Sequence, residues 1–91
     1  MRWEDVVCAA PNQVSSRVGE EVAVLGLDKA VYYGLNAVGA RIWELLQKPV
    51  QLDEVATIVS AEYDVDRETA RRDLMELAER LLEEGLIEVR R

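Results

Sequence analysis

One stretch constrains the fold more than any other: Lys29 to Leu46, KAVYYGLNAVGARIWELL. Its first half is strand-like. Val31, Tyr32 and Tyr33 are β-branched or aromatic, types that suit a pleated, half-buried surface. The two-residue period puts Val31, Tyr33 and Leu35 on one face, and Ala30, Tyr32 and Gly34 on the other. Asn36 then suits a helix N-cap, because its side-chain oxygen can accept from an unpaired N–H of the first turn. Val38, Ile42, Leu45 and Leu46 follow at helical spacing, with Trp43 beside them. Gly39 costs roughly 1 kcal/mol of helix propensity relative to Ala. It marks either a close approach of another backbone or a tolerated surface position.

Before this junction the chain reads as sheet. Val14 to Arg17 and Glu21 to Leu27 form two strands joined at Gly19, which can supply the positive φ of a tight turn. Asp28-Lys29 turns the chain into a third strand, Lys29–Leu35. Consecutive strands usually pair, so a three-stranded meander with a free last edge is expected. Residues 1–12 stay open between a strand and an irregular arm: Val6 to Ala10 is an apolar run ended by Pro11-Asn12, and Trp3 is a candidate cover for the core.

After the junction the chain reads as helix. Pro49 ends the first helix. Leu52, Val55, Ala56, Val59 and Tyr63 mark a second. The third runs from about Arg67 to Glu84, with Asp66 as N-cap, Glu68 at its positive end and Gly85 as C-terminal cap. Leu86 to Val89 forms a short tail. The expected fold class is α+β, a three-stranded antiparallel sheet followed by three helices, winged helix-turn-helix-like, in a single domain over 1–91 with 1–12 as an arm.

The third helix has an unusually wide apolar arc. Ala70, Leu74, Leu77 and Leu81 form a core stripe, and Arg71, Met75, Ala78 and Leu82 a second one. Periodicity alone favours packing by the first two helices as the use of both. The functional reading makes the second stripe the wall of a groove beside the last strand.

Composition narrows the chemistry. There is no histidine and a single cysteine, Cys8. Ser/His and Cys/His nucleophile pairs are therefore missing, as are the common zinc sets. No metal and no cofactor is expected. The carboxylates lie along exposed helix faces, and the five glycines are too scattered for a phosphate loop. No catalytic residue is assigned, and the chain is not expected to be an enzyme. Net charge is −7, with three basic and five acidic residues in 1–35 against eight and thirteen in 36–91. Such a surface repels phosphate backbones and anionic membranes. Arg67, Arg71 and Arg72 open the third helix where a DNA reader would need them, so a winged-helix nucleic-acid binder is the alternative. A structural adaptor that dimerises through the free edge is another. No signal peptide and no membrane span is visible, and a reduced, cytoplasmic setting is expected.

Three runs carry a family resemblance: YYGLNAVGARIWELL, AEYDVDRETARRDL and LLEEGLIEV. With Tyr33, Leu35-Asn36, Ile42-Trp43, Leu81-Leu82 and Gly85-Leu86 at these spacings, residues Val14 to Val89 resemble the PqqD family of RiPP recognition elements. DVDRETARRDL is more similar to the small proteins that accompany a split lasso-peptide leader protease. The resemblance implies recognition of the leader segment of a ribosomally made precursor peptide. The leader would lie as an added strand between the last strand and the third helix, and would be passed to a cysteine leader protease and then a macrocyclase. Gln51 departs from the family, which more often caps the second helix with Ser or Thr. The expected peptide-binding residues are Lys29, Ala30, Val31, Tyr32, Tyr33 and Gly34 on the strand and Arg71, Leu74, Met75, Ala78 and Leu82 on the helix. Arg71 and Lys29 are candidate partners for acidic leader residues.

Overall fold

The computed structural model describes residues 1–90, and its backbone confirms the meander. Strands β1 (Val6–Ala9), β2 (Gln13–Val18), β3 (Glu21–Gly26) and β4 (Val31–Leu35) precede helix α1 (Ala37–Leu45). A two-residue strand β5 (Val50–Gln51), helices α2 (Leu52–Glu62) and α3 (Arg67–Glu83), and strand β6 (Ile87–Arg90) complete the order. β2, β3 and β4 form one antiparallel sheet in that spatial order. The fold is α+β, as expected.

The second sheet is the main addition. β1 lies between β5 and β6, antiparallel to both. The segment open between strand and arm is thus the centre of a sheet, and the expected tail is its outer strand. Sequence periodicity misses this because β5 is two residues long and each strand finds its partner far along the chain. β4 also starts later than expected. Lys29 and Ala30 belong to the turn, where Ala30 takes a φ of +53°. That left-handed conformation is unfavourable for a residue with a Cβ and cannot continue a strand.

The helix ends follow the expected chemistry. Asn36 Oδ1 accepts from the Gly39 N–H at 2.9 Å, and Asp66 Oδ2 from the Thr69 N–H at 3.2 Å. α3 closes with Gly85 at φ +76°, its N–H donating to the Leu82 carbonyl and the Leu86 N–H to the Leu81 carbonyl. This paired closure satisfies two otherwise orphaned carbonyls. Gln51 supplies no side-chain cap to α2. The N-terminal arm replaces it: the Leu52 and Asp53 N–H groups donate to the carbonyls of Asp5 and Trp3, each at 3.0 Å. The helix start that lacks Ser or Thr is capped by tertiary structure.

The core gathers Val7, Val24, Leu35, Ile42, Trp43, Leu46, Leu52, Val55, Leu74, Leu81 and Leu86 from both sheets and all three helices. Gly26 marks where the sheets meet, since a Cβ there would lie 2.9 Å from Leu86 Cδ2. Gly39 is buried, but its close neighbours are Leu35 and Asn36 of the preceding segment, not a remote backbone. Arg41 ties α1 to α2 through Glu62, with Nε–Oε1 and Nη2–Oε2 bonds of 2.8 and 2.9 Å. That hydrogen-bonded pair raises the Arg41 pKa and lowers that of Glu62.

Candidate functional site

β4 pairs only with β3, so its far edge is unpaired among the described residues. The N-terminal strand does not cover it, because β1 is held in the other sheet. Alongside this edge, between β4 and α3, runs a groove of about 440 Å³. Its strand side is Tyr33, Gly34 and Leu35. Its floor includes Val38, Gly39 and Ile42 of α1, and Val59 of α2. Its helix side is Ala70, Asp73, Leu74, Leu77 and Arg80, the i, i+3, i+4, i+7 and i+10 positions of one face. The lining is mainly aliphatic, with one charge of each sign on the helix.

The strand and the helix run in opposite directions. Lys29 Nζ, just before β4, donates to the Glu83 carbonyl at the end of α3 at 3.3 Å. Further along, Arg80 Nη1 donates to the Tyr33 hydroxyl at 3.4 Å. That hydrogen bond is the leading cause of a raised Arg80 pKa.

The other edge of the same sheet, β2, is also unpaired. Beneath it lies a smaller depression of about 250 Å³, lined by Ser15, Arg17, Glu44 and Gln47 together with Val22, Ala40 and Trp43. An Arg17–Glu44 contact of 3.6 Å spans it. The two edges therefore differ in the room beside them, and among the described residues only the smaller depression is bridged by an ion contact.

The structure brings some of the expected residues together and separates others. Tyr33, Gly34 and Leu74 line the groove. Val31 shares the face of Tyr33 but sits beyond the groove's end, half-buried. Tyr32 faces away, in a cross-strand row with Val14 and Leu25 on the outer side of the sheet. Lys29 and Ala30 are in the turn. On α3 the expected second stripe points elsewhere. Arg71 Nη1 is 3.1 Å from Asp53 Oδ1, and its guanidinium lies 4.2 Å from the centre of the Trp3 ring. Met75 packs against the core, Ala78 is fully buried, and Leu82 is exposed; none of the three lines the groove. The N-terminal arm occupies the Arg71 flank, so the open wall is the opposite one.

The groove residues outside the expected set are chiefly Leu35, Asn36, Val38, Ile42, Ala70, Asp73, Leu77 and Arg80. Leu77 carried a signal, as a member of the first stripe. Three of that stripe's four residues, Ala70, Leu74 and Leu77, line the groove, and only Leu81 does not. Asp73 and Arg80 had no apolar signature and read as part of the solvated face.

An unpaired strand edge over an aliphatic groove defines a domain equipped to accept an extended segment. The model for the family described as Coenzyme PQQ synthesis protein D (PqqD) matches residues 21–87, which span the whole of β4 and α3. The chain belongs to the PqqD family. It is also similar to a solved structure, TbiB1 in complex with the TbiA(beta) leader peptide. That match has a TM-score of 0.82 and 38% identity, covering 89% of this chain and 94% of that one. No curated protein matches the chain. Among the described residues no helix is long and apolar enough to cross a membrane, and no group of His, Cys, Asp and Glu could hold a metal ion.

Proposed function

We propose that this protein binds the leader segment of a ribosomally synthesised precursor peptide, in the lasso-peptide class of RiPP biosynthesis, as a strand added to β4. It presents that segment to a modifying enzyme. The observation that carries the reading is the unpaired β4 edge beside an aliphatic groove, in a chain of the PqqD family similar to a leader-bound relative.

Energetics favour anchored side chains over backbone pairing alone. Each added backbone hydrogen bond contributes roughly 0.5–1.5 kcal/mol net. Ordering the peptide costs roughly 1–2 kcal/mol per residue, so these terms nearly cancel. A buried aliphatic or aromatic anchor adds roughly 1.5–3 kcal/mol. Sub-micromolar binding needs more than about 8 kcal/mol, so several anchors must fill the groove. Tyr33, Leu74 and Leu77 are placed to meet them.

The modifying partners we infer are a cysteine leader peptidase and then a ring-closing enzyme, with the protein itself acting as a carrier in the cytoplasm. A chain without histidine, whose carboxylates stand on exposed faces, fits a carrier. Glu68, Asp73, Glu76, Glu79 and Glu83 are all exposed on α3, which favours a peptide over a polyanion.

Calorimetric titration with the TbiA(beta) leader peptide tests the reading, with isotope-edited NMR to locate the peptide. Saturable binding with cross-strand contacts to Tyr32, Tyr33 and Gly34 is expected. Contacts to β2 instead of β4, or no binding by either that leader or the leader of the protein's own precursor, would overturn it.

A further inference from the structure

Within the groove, Asp73 and Arg80 lie on the same helix face, with Ala70 one turn beyond Asp73. They are seven residues apart, two turns, which separates them by about 10.5 Å along the axis. Leu77 lies between them and Leu74 beside Asp73. The groove is thus an aliphatic trough with a carboxylate toward one end and a guanidinium toward the other.

The two charges are available. Of the other α3 arginines, Arg67 and Arg71 are held by Asp53. Arg80 forms no ion pair among the described residues; its one contact is the long hydrogen bond to the Tyr33 hydroxyl. Asp73 meets only its chain neighbour Arg72, at 3.8 Å, with both side chains about two-thirds exposed. Glu76, Glu79 and Glu83 flank Arg80 in the sequence and are exposed. An acidic guest side chain is therefore repelled over most of this helix and attracted at Arg80.

We propose that Arg80 and Asp73 set the register and direction of the docked leader, Arg80 by pairing with an acidic leader side chain and Asp73 with a basic one. This rests on the strand-docking reading above and names the charge pattern of its ligand. A strand advances about 3.3 Å per residue, so the two charges fall three or four positions apart. β4 runs from the Arg80 end of the groove toward the Asp73 end. A guest antiparallel to β4, the slightly more stable pairing, runs the other way. Its basic residue then precedes its acidic one. Arg80 exchanges the Tyr33 hydroxyl for the guest carboxylate, and planar bidentate pairing makes that exchange directional.

The probe is a displayed library of short random peptides, selected on immobilised wild-type protein, on Arg80→Glu and on Asp73→Arg. Both positions are exposed, and thermal melts confirm that the variants fold. Wild type should enrich peptides with a basic residue three or four positions before an acidic one and apolar residues between. Arg80→Glu should turn the acidic preference basic, and Asp73→Arg should turn the basic preference acidic. Each reversal should weaken a wild-type-selected peptide by about threefold to tenfold, and high salt should shrink the difference. Peptides that bind all three proteins with the same charge preference, yet lose binding to Leu77→Asp, overturn the charge pair and leave strand docking standing. If wild type enriches nothing, or its peptides bind Leu77→Asp unimpaired, strand docking fails and this proposal fails with it.

Discussion

The two flanks of α3 start from similar residues and end differently. One carries Arg71, Met75, Ala78 and Leu82, the other Ala70, Asp73, Leu77 and Arg80. The first is covered as far as Ala78, with Leu82 left exposed at its end. Trp3 stacks on Arg71, Asp53 holds its guanidinium, and Ala78 is fully buried. The second is open, with β4 across from it and a groove between. Apolar content does not separate them. What separates them is which flank the chain termini reach. β1 and β6 pair with each other and bring the N-terminal arm to one side of the helix. The side they leave is the side where a guest strand can lie.

Substitutions that act on one flank only can break this contrast. The largest effect is expected where both flanks meet. Leu74 is almost wholly buried yet touches the groove, so Leu74→Ala should lower unfolding free energy by about 2–5 kcal/mol in urea denaturation, and weaken leader binding as well. Next comes Leu77→Asp, which puts a charge into the open groove. It should cut leader affinity by roughly 10–100-fold in calorimetry while the melting temperature changes little. Met75→Asp is its mirror: stability should fall while the surviving folded protein binds normally. A loss of binding with intact stability at Met75 would reverse the assignment of the flanks. A smaller effect is expected at Arg71→Ala, which removes the stack on Trp3. A loss of about 0.5–1 kcal/mol in denaturant midpoint analysis, with unchanged leader affinity, is the expected outcome. The smallest concerns the Arg41–Glu62 tie, remote from both flanks. Its hydrogen bond lowers the Glu62 pKa, so its contribution is present above the ordinary carboxylate value and is lost as pH falls through the lowered one. Thermal melts between about pH 5 and pH 3 should show a shallower drop for Glu62→Gln than for wild type, with no change in binding at neutral pH.

Much of this was legible from the chain. Asn36 and Asp66 announced two helix starts because a side-chain acceptor at that position has a backbone donor to meet. Gly85 announced the end of α3 because a left-handed residue closes it. The meander followed from two strand-like segments joined at Gly19 and a third turned in by Asp28-Lys29, and the family resemblance from three runs in combination, the β4–α1 junction among them. Other features were not legible, for physical reasons. Gln51 looked like a weak helix start, because the acceptors that replace its cap are the backbone carbonyls of Asp5 and Trp3, which no side-chain pattern encodes. Lys29 and Ala30 looked like strand, because a positive φ at an alanine leaves no trace in composition. Tyr32 and Tyr33 were both expected to bind, although the two-residue period already set them on opposite faces; which face meets α3 is decided by packing, and only Tyr33 lines the groove.

Local preference therefore determined the elements: which segments extend, which coil, and where each stops. Those choices depend on side chains within a few residues of one another, so the chain carries them openly. Which flank of α3 stayed open as a wall and which was covered by the N-terminal arm was decided only by tertiary structure. That outcome depends on pairing between the first and last strands, some eighty residues apart in the chain. Periodicity can mark a face as apolar; only the packed fold shows what has been laid against it.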